Sequence, residues 1–247
     1  MPSTFAMYTS TLAFALLLSP KSRWNTWQYV CWTSLGAFWG WPFAAALALP
    51  FIADSLLLSN QRWTELRRMA EGTLVAFFSV LAPLLLIDYY FYKKWVFASL
   101  NIVLYNVFGK DGRGPDIYGV EPWWFYIANG LINFNLIYMA ALLSIPVTGF
   151  ALLFVPKVIG NMASVKFHAS KLIVRLGAFY LWFAIFTAQP HKEERFMYVV
   201  FPIICFCAAV FLYILSGILE SILKTVKGLK VCTLFSLSKH ARLIFVL

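Results

Sequence analysis

The chain is 247 residues long, 62% apolar and 12% charged, with 20 Lys and Arg against 10 Asp and Glu. Ordinary soluble domains are about 45–50% apolar and about a quarter charged; a soluble fold, whose surface these few charges would not cover, is excluded. The net charge of +10 does not indicate a nucleic-acid partner, because the basic residues flank apolar runs as membrane orientation requires and form no basic domain. The composition predicts an all-α polytopic membrane protein, since helices satisfy their own backbone hydrogen bonds in lipid.

No charged residue precedes Lys21. Residues 1–20 lack a basic start and a small-residue cleavage site, so they read as a membrane helix or the end of one, not a signal peptide. They open abruptly on Pro2, Ser3 and Thr4, like a helix entrance whose preceding loop is missing. Residues 24–53 carry no Asp, Glu, Lys or Arg but are interrupted by Gly40, Pro42 and Pro50. The run is long for one span and short for two, which predicts a kinked span or a span plus a broken segment. A polar stretch from Asn60 to Glu71 separates it from a span over 72–90, kinked at Pro83. Asp88 falls near the end of that span, at the interface where an acid is tolerated; Lys93 and Lys94 mark the headgroup level.

Residues 99–123 read as a structured polar loop. Gly109, Gly112, Gly114, Pro115, Gly119 and Pro122 break helices, and Asp111, Asp116 and Glu121 are ringed by Tyr105, Tyr118, Trp123, Trp124 and Tyr126. Residues 122–156 are uncharged and predict an interfacial start followed by one span near 131–155. A basic stretch over 157–175 precedes a span at 172–189. The polar turn Pro190–Arg195 leads into a last span at 197–219. The division is therefore a transmembrane region at 1–220 and a basic cytosolic tail at 221–247. Lys224, Lys227 and Lys230 have helical spacing, as on an interfacial helix flank. The basic 157–175 stretch and the tail are expected on the cytosolic side, which puts the 93–123 loop and the His191–Arg195 turn together on the other. Cys31, Cys205, Cys207 and Cys232 match no zinc or thioredoxin spacing and read as small apolar core residues.

The 93–123 loop has two readings: a lid or substrate platform, with Gly for close backbone approach, or a connector anchored by its aromatics. In the turn, Lys192 and Arg195 suit neutralising a phosphate, Arg with two hydrogen bonds. His191 suits donating to an anionic oxygen, and Glu193 or Glu194 suits orienting the cations or contacting hydroxyls. The alternative is a solvated hairpin of balanced charge.

Four stretches carry a family resemblance: PSTFAMY at 2–8, GWPFAAALALP at 40–50, NIVLYNVFGKDGRGPDIYGVEPWWFYIANGLINFN at 101–135 and QPHKEERFMYVVFP at 189–202. The chain resembles the lumenal mannosyltransferases that extend the dolichol-linked oligosaccharide of protein N-glycosylation, and their relatives that build glycosylphosphatidylinositol anchors. The resemblance implies a GT-C-like multi-spanning helical bundle in the endoplasmic reticulum membrane. It implies dolichyl phosphate mannose as donor, a dolichol-linked oligosaccharide as acceptor, an alpha-1,2 linkage formed with inversion, and neither a cofactor nor a metal. On this sequence the HKEERF motif falls on His191–Phe196, with His191, Lys192 and Arg195 as donor-phosphate ligands. Tyr105, Asp116, Tyr118, Glu121 and Trp123 are expected in the substrate cleft.

The family's acidic loop, after its first membrane helix, has no counterpart here. The expected chain is a truncated, C-terminal portion of the fold with its general base missing, leaving Asp116, Glu121, Glu193 and Glu194 as substitutes. A glycosylphosphatidylinositol mannosyltransferase, or a truncated noncatalytic membrane protein derived from the family, are the alternatives. A transporter is disfavoured, because the broken segment at Gly40–Pro42 has no partner in the second half.

Overall fold

The computed structural model describes residues 2–108, 119–159 and 165–226, and every regular element among them is helical. The α-helices are α1 (Pro2–Leu18), α2 (Arg23–Leu35), α3 (Ala48–Leu56), α4 (Arg62–Ala76), α5 (Ala82–Tyr92), α6 (Ala98–Phe108), α7 (Phe125–Phe134), α8 (Leu136–Leu142), α9 (Ser144–Phe154), α10 (Val165–Ala188) and α11 (Phe201–Val226). Three continuous stretches are long and apolar enough to cross a membrane: Arg62–Tyr92, Ala169–Ala188 and Glu194–Leu223. The pair α8 and α9, bent by 51°, makes a fourth if taken as one span, and the chain is a multi-pass membrane helical bundle.

The α1 helix buries a stripe of small residues, Ser3, Ala6, Ser10, Ala13 and Leu17, whose three- and four-residue spacing puts them on one face. Small side chains let backbones approach closely. A Cβ on Gly36 would lie 2.3 Å from the Thr9 hydroxyl, so α1 and α2 pack here only because residue 36 is glycine. The interruption expected in 24–53 is real. A π-helical turn at Gly36–Gly40 ends in extended Trp41 (φ −129°, ψ 117°), and a 3-10 turn, Pro42–Leu47, leads into α3. Pro42 disfavours helical backbone at the residue before it, which fixes the break at Trp41.

The polar stretch at 60–71 is helical from Arg62, and α4 runs through a π-turn at Phe77–Leu81 into α5. Its charges pair along and across helices: Glu65 with Arg68 at 2.7 Å, and Glu71 with Arg67 at 3.0 Å and Arg23 at 2.9 Å. Pro83 sits in the first turn of α5, where its missing N–H follows the widened π-turn, so the kink is absorbed there.

Two expectations are corrected. Residues 98–108 form helix α6, because the first helix-breaking glycine of the run is Gly109. The single span expected at 131–155 is three short helices, broken at Asn135 (φ 50°) and at Leu143. Pro146 has no N–H to give the Leu142 carbonyl four residues back. The Tyr180 hydroxyl stands in, 2.9 Å from that carbonyl and 3.0 Å from Ala141 O, while accepting from the Ile145 N–H at 3.2 Å.

The main core joins α10 and α11 to α7 and α8 through Phe179, Trp182, Ile203, Ile204, Tyr126 and Tyr138. Trp182 is fully buried and donates its indole N–H to Phe196 O at 2.9 Å. Of the cysteines, Cys207 is buried but Cys205 is exposed, on the outward face two positions away, so Cys205 is not a core residue. Cys232 and the basic tail beyond 226 lie outside the described residues.

Candidate functional site

Helix α10 stops at Ala188, ahead of Pro190. The chain then runs extended at Glu193 (φ −134°, ψ 148°) before a 3-10 turn, Glu194–Phe196. This turn and residues 119–121 are laced together at one end of the bundle. The Glu121 N–H donates to Pro190 O at 3.1 Å, and His191 Nδ1 lies 2.8 Å from Gly119 O. The two polar loops thus share one face, as expected from counting crossings.

The charged side chains divide their work. Glu193 binds Arg195 through both carboxylate oxygens, with Arg195 Nη2 donating to Oε1 at 2.8 Å, and His191 Nε2 lies 3.1 Å from Oε1. Both His191 ring nitrogens therefore lie within hydrogen-bond distance of oxygens, Gly119 O and Glu193 Oε1. Burial alone would raise the Glu193 carboxyl, but the hydrogen bonds and charges of Arg195 and His191 outweigh it and hold it below the ordinary carboxylate range.

Lys192 binds backbone and no carboxylate. It is 6% exposed, and its ammonium donates to Glu121 O at 2.9 Å and Gln189 O at 2.5 Å. Glu194 accepts from Asn129 Nδ2 at 2.6 Å, and Tyr126 donates its hydroxyl to Glu193 O at 3.2 Å.

His191, Lys192, Glu193 and Arg195 line a cleft of about 480 Å³. Tyr105, from α6, lines it too, as do Phe43 and Ile185. Its aromatic floor is Trp41, stacked on Phe186 with ring centroids 5.1 Å apart and tilted against Phe196 at 4.9 Å. The cleft is therefore amphipathic: a charged rim over an aromatic wall.

Of the other residues singled out from sequence, Trp123 is 67% exposed and does not line the cleft. The Glu121 contribution is its backbone, not its carboxylate. Asp116 and Tyr118 lie outside the described residues. Among the described residues Glu193 is the one carboxylate lining the cleft, and no three His, Cys, Asp or Glu side chains gather in a metal-ligating group. Trp41 and Phe196 were legible only as members of the matched stretches, having no titratable group to mark them.

Known proteins resemble this chain over most of its length. Human alpha-1,2-mannosyltransferase ALG9 is 42% identical over 214 residues, covering 85% of this chain and 32% of its own length. The Schizosaccharomyces pombe alpha-1,2-mannosyltransferase alg9 is 39% identical over 233 residues, covering 92% of this chain and 39% of its own. The Danio rerio GPI alpha-1,2-mannosyltransferase 3 is 27% identical over 209 residues, covering 80% of this chain and 32% of its own. The chain thus spans about a third of the length of the curated relatives it matches. No solved structure matches it. Residues 1–246 match the Alg9-like mannosyltransferase family, and the chain belongs to that family.

Proposed function

We propose that the chain carries the donor-phosphate half of an endoplasmic reticulum alpha-1,2-mannosyltransferase of GT-C type, moving mannose from dolichyl phosphate mannose to a dolichol-linked oligosaccharide in protein N-glycosylation. The observation that supports this most is the amphipathic cleft, in which the polar turn 191–195 meets the aromatic wall of Trp41 and Phe186. A polyprenyl phosphate needs both surfaces: cations for the phosphate and apolar rings for the first isoprene units. The identity to alpha-1,2-mannosyltransferases from human and fission yeast favours the N-glycan branch over the glycosylphosphatidylinositol one.

In the proposed reaction an acceptor hydroxyl displaces dolichyl phosphate in one step with inversion. Arg195 and His191 receive the departing phosphate, and Lys192, which also lines the cleft, adds positive charge. Glu193 is unsuited to be the general base, because a carboxylate held well ionised by two cations accepts a proton weakly. The base is sought instead among Asp116 and Glu121 and in the family's acidic loop.

The test supplies dolichyl phosphate mannose and a dolichol-linked oligosaccharide to the detergent-solubilised 247-residue chain and reads the product by mass. With a family segment bearing the acidic loop fused ahead of the chain, addition of one hexose, with Arg195→Ala raising the donor KM about tenfold to a hundredfold, is the expected outcome. No product from that fusion, or unchanged donor kinetics in Arg195→Ala, overturns the reading. Transfer to a glycosylphosphatidylinositol precursor alone moves it to the other branch.

A further inference from the structure

A second polar cavity, of about 350 Å³, lies at the opposite end of the bundle from the cleft. It forms where the α1–α2 corner, the turn after α3 and the first turns of α4 and α10 meet, and Lys21, Asp54, Glu65, Arg68 and Lys171 line it. Lys171 and Ala188 are 17 positions apart on α10, about 25 Å at 1.5 Å per residue. A bilayer's hydrocarbon core is about 30 Å thick. With the cleft at one headgroup level, this cavity is at the other.

Its electrostatics are mixed and partly unsatisfied. Asp54 is 1% exposed; its Oδ2 is ion-paired with Lys21 Nζ at 2.8 Å, and its Oδ1 has no donor among the described residues. Glu65 is 3% exposed; its Oε1 accepts from Arg68 at 2.7 Å, while its Oε2 is buried without a donor among the described residues. A buried polar atom left this way costs about 1–3 kcal/mol, and more when charged. A simple anion entering the cavity meets Asp54 and Glu65, and a simple cation meets Lys21, Arg68 and Lys171. A ligand carrying both signs a few ångströms apart meets neither objection.

Phosphoethanolamine has that form. Its phosphate accepts from Arg68 and Lys171, and its ammonium brings three N–H donors, like a lysine's, to Glu65 Oε2 and Asp54. A choline headgroup has no N–H to offer and is held by aromatic rings, and none of the lining residues among those described is aromatic. We propose that this cavity binds the headgroup of a phosphatidylethanolamine in the leaflet opposite the cleft.

The test is native mass spectrometry of the full 247-residue chain in mild detergent, with phosphatidylethanolamine, phosphatidylcholine and phosphatidylglycerol supplied at equal concentration. Expected is retention of phosphatidylethanolamine at least about tenfold over either competitor, and loss of that preference in Glu65→Gln. Asn60→Trp is the second variant: Asn60 is exposed at the cavity mouth, so the substitution fills the cavity and keeps every charge. It decides the matter where Glu65→Gln does not fold, as read by helical circular dichroism. Equal retention of the three lipids, preference for phosphatidylglycerol, or unchanged retention in Asn60→Trp overturns the proposal. So does displacement of the lipid by an equal concentration of soluble glycerophosphoethanolamine, which would make the ligand a water-soluble phosphoethanolamine. None of these readouts depends on mannose transfer.

Discussion

Replacing Lys192 with methionine removes one ammonium and little else, and tests whether that ammonium ties two loops together before any substrate arrives. Lys192 is 6% exposed and donates to Glu121 O at 2.9 Å and Gln189 O at 2.5 Å, with Pro190 O at 3.5 Å. Hydrogen bonds to a charged group are worth about 1.5–3 kcal/mol each. The two short ones come to about 3–6 kcal/mol, offset in part by no longer desolvating an ammonium, so a net loosening of about 2–4 kcal/mol is expected. The Glu121 amide, which donates to Pro190 O across the same junction, reports it directly. Its hydrogen exchange should accelerate about 30-fold to 1,000-fold in Lys192→Met. Hydrogen–deuterium exchange by mass spectrometry, on peptides covering 119–126 and 189–196, measures it, with the buried segment 203–214 as internal reference. Wild-type protection of Glu121 in the substrate-free variant would refute the tie and leave Lys192 free to act on a ligand alone.

Glu193 predicts a pH dependence. Its carboxyl is held below the ordinary value of 4.5, so it stabilises the folded turn above that value and loses the contribution as pH falls through its lowered folded value. The difference in thermal stability between wild type and Glu193→Gln should stay flat from about pH 8 to about pH 5 and shrink below; a difference that grows on acidification contradicts the sign. Two glycines give a matched pair in helix interiors. A Cβ on Gly130 would lie 2.3 Å from the fully buried Tyr138 ring, whereas one on Gly177 meets nothing within 4 Å. Gly130→Ala should destabilise by about 1–3 kcal/mol and Gly177→Ala should stabilise by about 0.5–1 kcal/mol, both read by thermal unfolding in detergent. Equal effects would mean that the α7–α8 contact is loose.

The membrane crossings were legible because hydropathy is a sum over many residues and tolerates local errors. The expected spans at 72–90, 172–189 and 197–219 fall within or close to the stretches Arg62–Tyr92, Ala169–Ala188 and Glu194–Leu223. What hydropathy hid was helix made of polar residues. Glu65, Arg67, Arg68 and Glu71 look like a loop by charge, yet their three- and four-residue spacing lets them pair on a helix surface. The break in 131–155 was hidden for the opposite reason. The run is uniformly apolar, and only Pro146, which leaves the Leu142 carbonyl to Tyr180 from a distant helix, signals it. The site was half legible. Counting crossings put both acid-bearing loops on one face, but the carbonyls of Glu121 and Gln189 that hold Lys192 were hidden, because they come together only when the two loops meet.

The charges lining the cleft bear on the proposed reaction. Arg195 balances Glu193, and Lys192 leaves the cleft with an excess of positive charge. A sugar phosphodiester donor carries one negative charge, whereas the departing dolichyl monoester approaches two. A positive cleft attracts the second charge as well as the first, so it stabilises the developing leaving group more than the donor, which lowers the barrier. The same match holds the product back. Glu193→Gln removes the counter-ion and raises the excess by one, so dolichyl phosphate should bind more tightly and leave more slowly, read as a lower inhibition constant for added dolichyl phosphate. Weaker binding in that variant would show that Glu193 serves chiefly to aim the two cations, and that the charge excess is not what holds the phosphate.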